Sequence, residues 1–186
     1  ATKVSLGEEF GLAPGAIVSA QQVAALRALG FDAVFDTCTG ADITIMEEAS
    51  EALMRLTKKQ AELPHFTSCC PGWVKFCEYF YPDLMEHLST CKSPAAMLGA
   101  TVKSYYAEKQ GIAPENIVTV SIMPCTAKKF EAQREELGVD GRADVDYVLT
   151  TRELARLIKR HGIDFAALTP AAYDSVLGES TGAGRI

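Results

Sequence analysis

The 186-residue chain predicts an α/β fold, a mainly parallel, twisted sheet flanked by helices. Three observations carry this reading. Strand-like and helix-like segments alternate along the chain. Residues 116–123 are almost continuously apolar (Ile117, Val118, Val120, Ile122), as in a strand covered on both faces. Thr150 and Glu153 have the spacing of a capping box, which starts a helix directly after a strand.

In order, residues 4–10 form a short amphipathic piece before a turn containing Pro14. Residues 16–29 repeat apolar side chains at helical spacing (Val18, Val23, Leu26), and Gly30 stops that helix. Residues 31–36 alternate and read as a strand. Residues 41–59 are rich in Ala, Leu, Met, Glu and Lys and read as a long helix. A short extended piece at 64–68 leads to Pro71, which begins a helix with Cys70 at its cap. Pro94 begins another helix, running to Gln110 before Gly111. Residues 116–123 and 144–149 are strands, and 151–160 is the capped helix. The glycine-rich stretch 178–186 ends without a closing element, so the chain is expected to be incomplete at its C-terminus.

Composition narrows function. A hydrophobic fraction of 48% and a charged fraction of 23% exclude disorder. No apolar run reaches the roughly 20 residues of a membrane span. The net charge of -6, without any Lys/Arg-rich run, argues against nucleic acid as a partner. The chain does not open on a signal-peptide pattern. With helical patterns and no small stapled architecture, its six cysteines read as reduced thiols, some of them metal ligands. A cytoplasmic setting is expected.

Two segments carry chemistry. In Thr67-Ser68-Cys69-Cys70-Pro71-Gly72-Trp73 an extended piece ends in two thiols at a helix start. A sulfur at a helix cap faces free backbone N–H groups and the positive end of the dipole, which favours thiolate and an anionic metal cluster. In Met123-Pro124-Cys125-Thr126-Ala127-Lys128-Lys129 a cysteine follows a buried strand at its carboxyl end, where open α/β sheets gather ligands. The competing reading is buried structural thiols, and for Cys38, Cys77 and Cys91 it is preferred. Zinc lacks its usual spacing, since there is no CxxC and no HxxxH, and His65, His87 and His161 are scattered. Glu48, Glu51 and Arg55 share one helix face, either as a solvated ion pair or as a partly buried proton path.

Together these two cysteine motifs resemble the catalytic domain of the [FeFe]-hydrogenases. Supporting segments are Phe35-Asp36-Thr37, Asp42 to Glu48, Lys92-Ser93-Pro94 and Leu149 to Leu154, so the resemblance covers nearly the whole chain. It implies an H-cluster, a [4Fe–4S] cube joined through a cysteine sulfur to a two-iron subcluster with CO, cyanide and a bridging dithiolate. It implies Cys70 and Cys125 as two of the cube's four ligands and Cys69 as the proton-transfer thiol. Lys128 would hydrogen-bond a cyanide, and Met123, Pro124 and Ser93 would line the two-iron pocket. A proton relay would run from Cys69 through Glu48, Ser89 and Glu51 to the surface at Arg55.

The resemblance further implies a two-lobed domain. Residues 1–186 would be its N-terminal portion, one lobe and part of the second. A third cysteine motif, expected beyond Ile186, would supply the remaining ligands. Ala95 stands where many relatives carry glutamine. The implied activity is reversible oxidation of dihydrogen, with electrons exchanged with ferredoxin or a similar carrier. Further implied partners are maturation proteins and the complementary segment of the same enzyme, with no membrane and no nucleic acid, and the resemblance leaves a periplasmic setting open through a partner subunit's signal. The alternatives are a non-catalytic iron–sulfur assembly or prelamin-associated relative, and a sensory hydrogenase-like module. The presence of Cys69, Lys128, Glu48 and Ser89 weighs against both.

Overall fold

A computed structural model describes residues 1–58 and 61–178. Its helices are α1 (Thr2–Ser5), α2 (Ser19–Ala28), α3 (Thr37–Lys58), α4 (Pro71–Phe80), α5 (Pro94–Thr101) and α6 (Ala107–Gln110), followed after the first strand by α7 (Ala127–Glu131) and after the second by α8 (Thr151–Arg160). The strands β1 (Val120–Met123) and β2 (Tyr147–Thr150) pair in parallel, Val120 opposite Tyr147 and Met123 opposite Thr150. The α/β class is therefore correct, and the sheet among the described residues has two strands. The crossover between them carries α7, the arrangement a parallel pair requires.

Local signals set most helix boundaries. Pro71 and Pro94 occupy first-turn positions, where a missing N–H costs nothing. Ser93 caps α5 by accepting from the Ala96 N–H. At α8 both halves of the capping box form: the Glu153 N–H donates to Thr150 Oγ1 at 3.3 Å, and the Thr150 N–H donates to Glu153 Oε2 at 2.8 Å.

Several expectations change; the second strand, expected over 144–149, runs over Tyr147–Thr150. Residues 31–36 are not a strand; they make a single parallel bridge, Phe35 to Asp174. The pairing capacity there goes to a side chain instead, because the Val34 N–H donates to the Asp174 carboxylate at 2.7 Å. Helix α3 begins at Thr37 rather than residue 41, since the Asp36 carboxylate accepts the Cys38 N–H at 3.0 Å. The helix expected over 94–110 contains a π-helical stretch at Val102–Tyr106. Strand β1 is shorter than 116–123. Pro114–Asn116 turn as a 3-10 helix, and the Thr119 N–H is taken by the Asp146 carboxylate. The stretch 179–186 lies outside the described residues.

Two packing centres result. One is apolar, joining Leu6, Val18, Val23 and Leu26 to Leu154, Ile158 and Phe165, so that α8 closes on the amino-terminal segment. The other is the close approach of α3 to α5. A Cβ at Gly40 would collide with the Pro94 carbonyl, so this crossing requires glycine. The second centre fixes α3, with its carboxylates, against the segment that leads into α5.

Candidate metal centre

The Cys69–Cys70 loop is tied down on three sides. Phe66 pairs with Leu88, the Ser89 N–H donating to the Phe66 carbonyl at 2.7 Å and the Phe66 N–H to the His87 carbonyl at 2.9 Å. Ser68 Oγ donates to the Cys91 carbonyl at 2.8 Å. Lys128 Nζ donates to the Cys69 carbonyl at 3.0 Å. The chain then passes through extended backbone at Cys70 into α4. The Cys70 sulfur lies over the first turn, 3.7 Å from where a Cβ on Gly72 would stand. It thus faces the electropositive end of a ten-residue helix. Cys69 and Cys70 are both exposed.

The second loop leaves β1 at Met123, which is half-buried, and presents Pro124 and Cys125 exposed. Pro124 and Thr126 line an open cavity at the carboxyl ends of both strands, with Ser5, Glu8 and Thr150 across it. This is the place the open-sheet rule assigns to ligands. Lys128 connects this loop to the first one. Besides the Cys69 carbonyl, its ammonium reaches both oxygens of Glu131, at 3.0 and 2.8 Å. Glu131 is buried and also accepts from Ser93 Oγ at 3.0 Å. Ser93, only 2% exposed, therefore spends its hydroxyl on Glu131 and the α5 cap, and reaches the site through Glu131 rather than by facing an open pocket. Glu131 escaped the sequence reading, although its i,i+3 spacing from Lys128 was the available signal.

The carboxylate stripe on α3 is not a solvated ion pair. Arg55 is 4% exposed, which corrects its expected place at the surface. Its Nε and Nη2 donate to Glu51 Oε1 at 3.2 and 2.7 Å. Its remaining donors go to the carbonyls of Glu62, Glu86, His87 and Leu88. The physical reason is the turn at 86–88, whose carbonyls point inward and need a donor. Glu51 also receives Ser89 Oγ on Oε2 at 2.7 Å and the Thr90 N–H at 3.1 Å. Burial alone would raise the Glu51 carboxyl, but the hydrogen bonds from Ser89, Arg55 and Thr90 outweigh it and hold it below the ordinary carboxylate range. Ser89 is buried, and Glu48 is half-buried on the same helix.

The other thiols behave as structural ones. Burial pushes Cys77 up, and it is 0% exposed on α4. Burial also raises Cys91, reinforced by Glu51, Glu48 and Glu47 against the hydrogen bond from Ser89. Burial raises Cys38 next to Asp36. A raised thiol pKa disfavours the thiolate a metal needs.

Across its whole length, residues 1–186, the chain matches the family model for the iron-only hydrogenase large subunit, C-terminal domain. The chain belongs to the iron-only hydrogenases. The matched region is that C-terminal domain, and not an N-terminal portion of the large subunit. Relatives include the NADP-reducing hydrogenase subunit HndD of Solidesulfovibrio fructosivorans, 55% identical over 100% of this chain and 33% of its own length. The periplasmic [Fe] hydrogenase large subunit of Nitratidesulfovibrio vulgaris is 52% identical over 100% of this chain and 44% of its own. The nuclear prelamin A recognition factor of Rattus norvegicus is 37% identical over 83% of this chain. Among solved structures, the [FeFe]-hydrogenase HydA1 from Chlamydomonas reinhardtii superposes with a TM-score of 0.91 at 51% identity, covering 96% of this chain and 45% of that one. The chain thus spans less than half the length of these hydrogenase relatives.

The donor set can be compared with the iron–sulfur group this family implies. Cys70 and Cys125 are exposed thiols on two loops bridged by one lysine, which suits half of a four-thiolate set. Among the described residues no group of three or more His, Cys, Asp and Glu side chains forms a metal site. Among the described residues, no helix is long and apolar enough to cross a membrane.

Proposed function

We propose that this chain is the N-terminal portion of the catalytic domain of an [FeFe]-hydrogenase that interconverts dihydrogen with protons and electrons. The observation that carries this is the bond from Lys128 Nζ to the Cys69 carbonyl at 3.0 Å. It joins the two cysteine loops, which are far apart in sequence, beside a strand end. The identity pattern agrees, with named hydrogenases at 48–55% over nearly the whole chain against 33–37% over 83–86% for the nuclear prelamin A recognition factors.

In this reading Cys70 and Cys125 hold the H-cluster's cube, and two further thiolates come from the segment that completes the domain. Bound there, the cluster supplies the heterolytic cleavage of dihydrogen and a route for electrons to ferredoxin or a similar carrier. The chain's own residues manage the proton. Cys69 takes it at Sγ and gives it up toward Glu48. The Ser89 hydroxyl, already donating to Glu51 Oε2, hands a proton on while its oxygen is held by the Cys91 N–H at 3.1 Å. Lys128, its charge balanced by Glu131, stands beside the Cys69 loop and would turn one of the two N–H bonds now on Glu131 toward an anionic cluster ligand. Met123 and Pro124 wall the site from the strand side. Maturation proteins would be needed to load the two-iron subcluster.

Infrared spectroscopy of the full-length protein, matured anaerobically, tests this. CO and cyanide bands together with hydrogen turnover are expected. A cube signal without those bands overturns the assignment in favour of the assembly class.

A further inference from the structure

We propose that His65 is a proton-transfer positioning residue that connects Glu51 to solvent. This rests on the relay reading above and adds the outlet that the relay lacks. Arg55, the expected outlet, is buried and carries six hydrogen bonds from its guanidinium. A guanidinium has no lone pair to accept a proton and stays charged at any working pH. It anchors Glu51 and cannot relay from it.

His65 is placed for that task. Its Nε2 lies 3.9 Å from Glu51 Oε2. That oxygen is the same one that receives the Ser89 hydroxyl at 2.7 Å, so the proton's entry and its exit meet on one atom. The Nε2 is buried and has no hydrogen-bond partner, which is costly unless the atom is used. The His65 side chain is 12% exposed, so part of it meets solvent while Nε2 stays buried beside the carboxylate. Closing the gap by about 1 Å through ring rotation makes a direct hydrogen bond.

Besides His65, the charged and titratable groups facing Glu51 are Arg55 from its own helix, on Oε1, and Cys91, whose Sγ lies 3.9 Å from Oε2; His87 Nδ1 lies 3.0 Å from the carbonyl of Pro64, the residue before His65. None of them supplies a second acceptor on Glu51 Oε2. Imidazole suits the role because it can accept at one nitrogen and release from the other near neutral pH.

The step balances as a proton relay. Glu51 Oε2–H gives its proton to His65 Nε2, leaving a carboxylate and an imidazolium. The imidazolium releases its Nδ1 proton to water. Rotation of the ring, or loss of the Nε2 proton with reprotonation at Nδ1 through water, turns an imidazole lone pair back toward Glu51 Oε2, and the same route runs backwards during hydrogen production.

The test uses the full-length enzyme as wild type, His65→Gln, His65→Ala and Glu51→Gln. His65→Gln keeps a polar group but removes the titrating one. Its turnover is expected to fall at least about tenfold with the CO and cyanide bands unchanged. Added imidazole should restore most of the turnover of His65→Ala. A second readout needs no turnover: in the full-length chain without metal, the carboxyl stretch that disappears in Glu51→Gln should shift in His65→Gln.

Unchanged turnover and an unshifted Glu51 band in His65→Gln overturn the proposal, as does a loss that imidazole leaves unrepaired while the band stays put. If Glu51→Gln keeps full turnover, the relay reading itself fails. If Glu51→Gln collapses turnover while His65→Gln does not, only the His65 inference falls.

Discussion

Truncating Arg55 should cost far more than breaking an ordinary helical ion pair. Arg55→Ala removes six hydrogen bonds, takes the counter-charge from Glu51 and the side-chain donor from the carbonyls of Glu62, Glu86 and Leu88 (the His87 carbonyl keeps the Phe66 N–H), all around a residue that is 4% exposed. Removing one partner of a buried ion pair costs about 3–5 kcal/mol, because the charge left behind is uncompensated. An exposed i,i+4 pair is worth only about 0.3–0.5 kcal/mol. The geometry puts Arg55 in the first class, and about 4 kcal/mol is expected. Arg55→Lys keeps the charge but offers at most three donors, so at least half the hydrogen bonds are lost and about 2 kcal/mol is expected. Urea unfolding of the full-length chain, followed by fluorescence and circular dichroism, reads both variants against wild type. The loss extends to the site, since the carbonyls of His87 and Leu88 belong to the turn that pairs with Phe66, just ahead of Cys69. A destabilisation of Arg55→Ala below about 1 kcal/mol would show that solvent already satisfies this cluster and that the buried-anchor argument is wrong.

Further expectations concern separate parts of the chain. Cys69→Ser should abolish hydrogen turnover while the infrared bands survive; full turnover removes its proton role. Gly40→Ala should destabilise by roughly 1–3 kcal/mol, because its methyl group meets the Pro94 backbone, and a neutral result in thermal unfolding would mean that α3 and α5 can part freely. Glu153, held at about 2 chiefly by the Lys129 hydrogen bond and then by Thr150, has a folded-state value below the ordinary one. Its stabilising effect is therefore present above the ordinary glutamate value of 4.5 and lost as pH falls from there toward about 2. The stability gap between wild type and Glu153→Gln should close over that range; a gap constant with pH refutes the linkage.

Features written in local chemistry were legible in the sequence. Pro71, Pro94 and the Thr150/Glu153 box mark helix starts because capping depends on residues within one turn. The positions of the two cysteine loops, one at a helix cap and one just past a strand end, were legible for the same reason. What escaped depends on distant partners. Residues 31–36 alternate like a strand, but Asp174, far along the chain, takes the Val34 N–H with its side chain. Arg55 reads as a surface residue from its i,i+4 spacing, and only the inward carbonyls of 86–88 bury it. Likewise, Glu131 and His65 acquire meaning only once Ser93, Lys128 and Glu51 surround them.

The proposed site stands or falls on whether sulfurs from two separate loops grip one iron–sulfur cluster. Iron-edge anomalous diffraction from the matured full-length enzyme addresses it directly. A single cluster within bonding distance of both the Cys70 and Cys125 sulfurs is the predicted result. Iron bound to one of these sulfurs without the other, or to neither, would rule out a shared cluster.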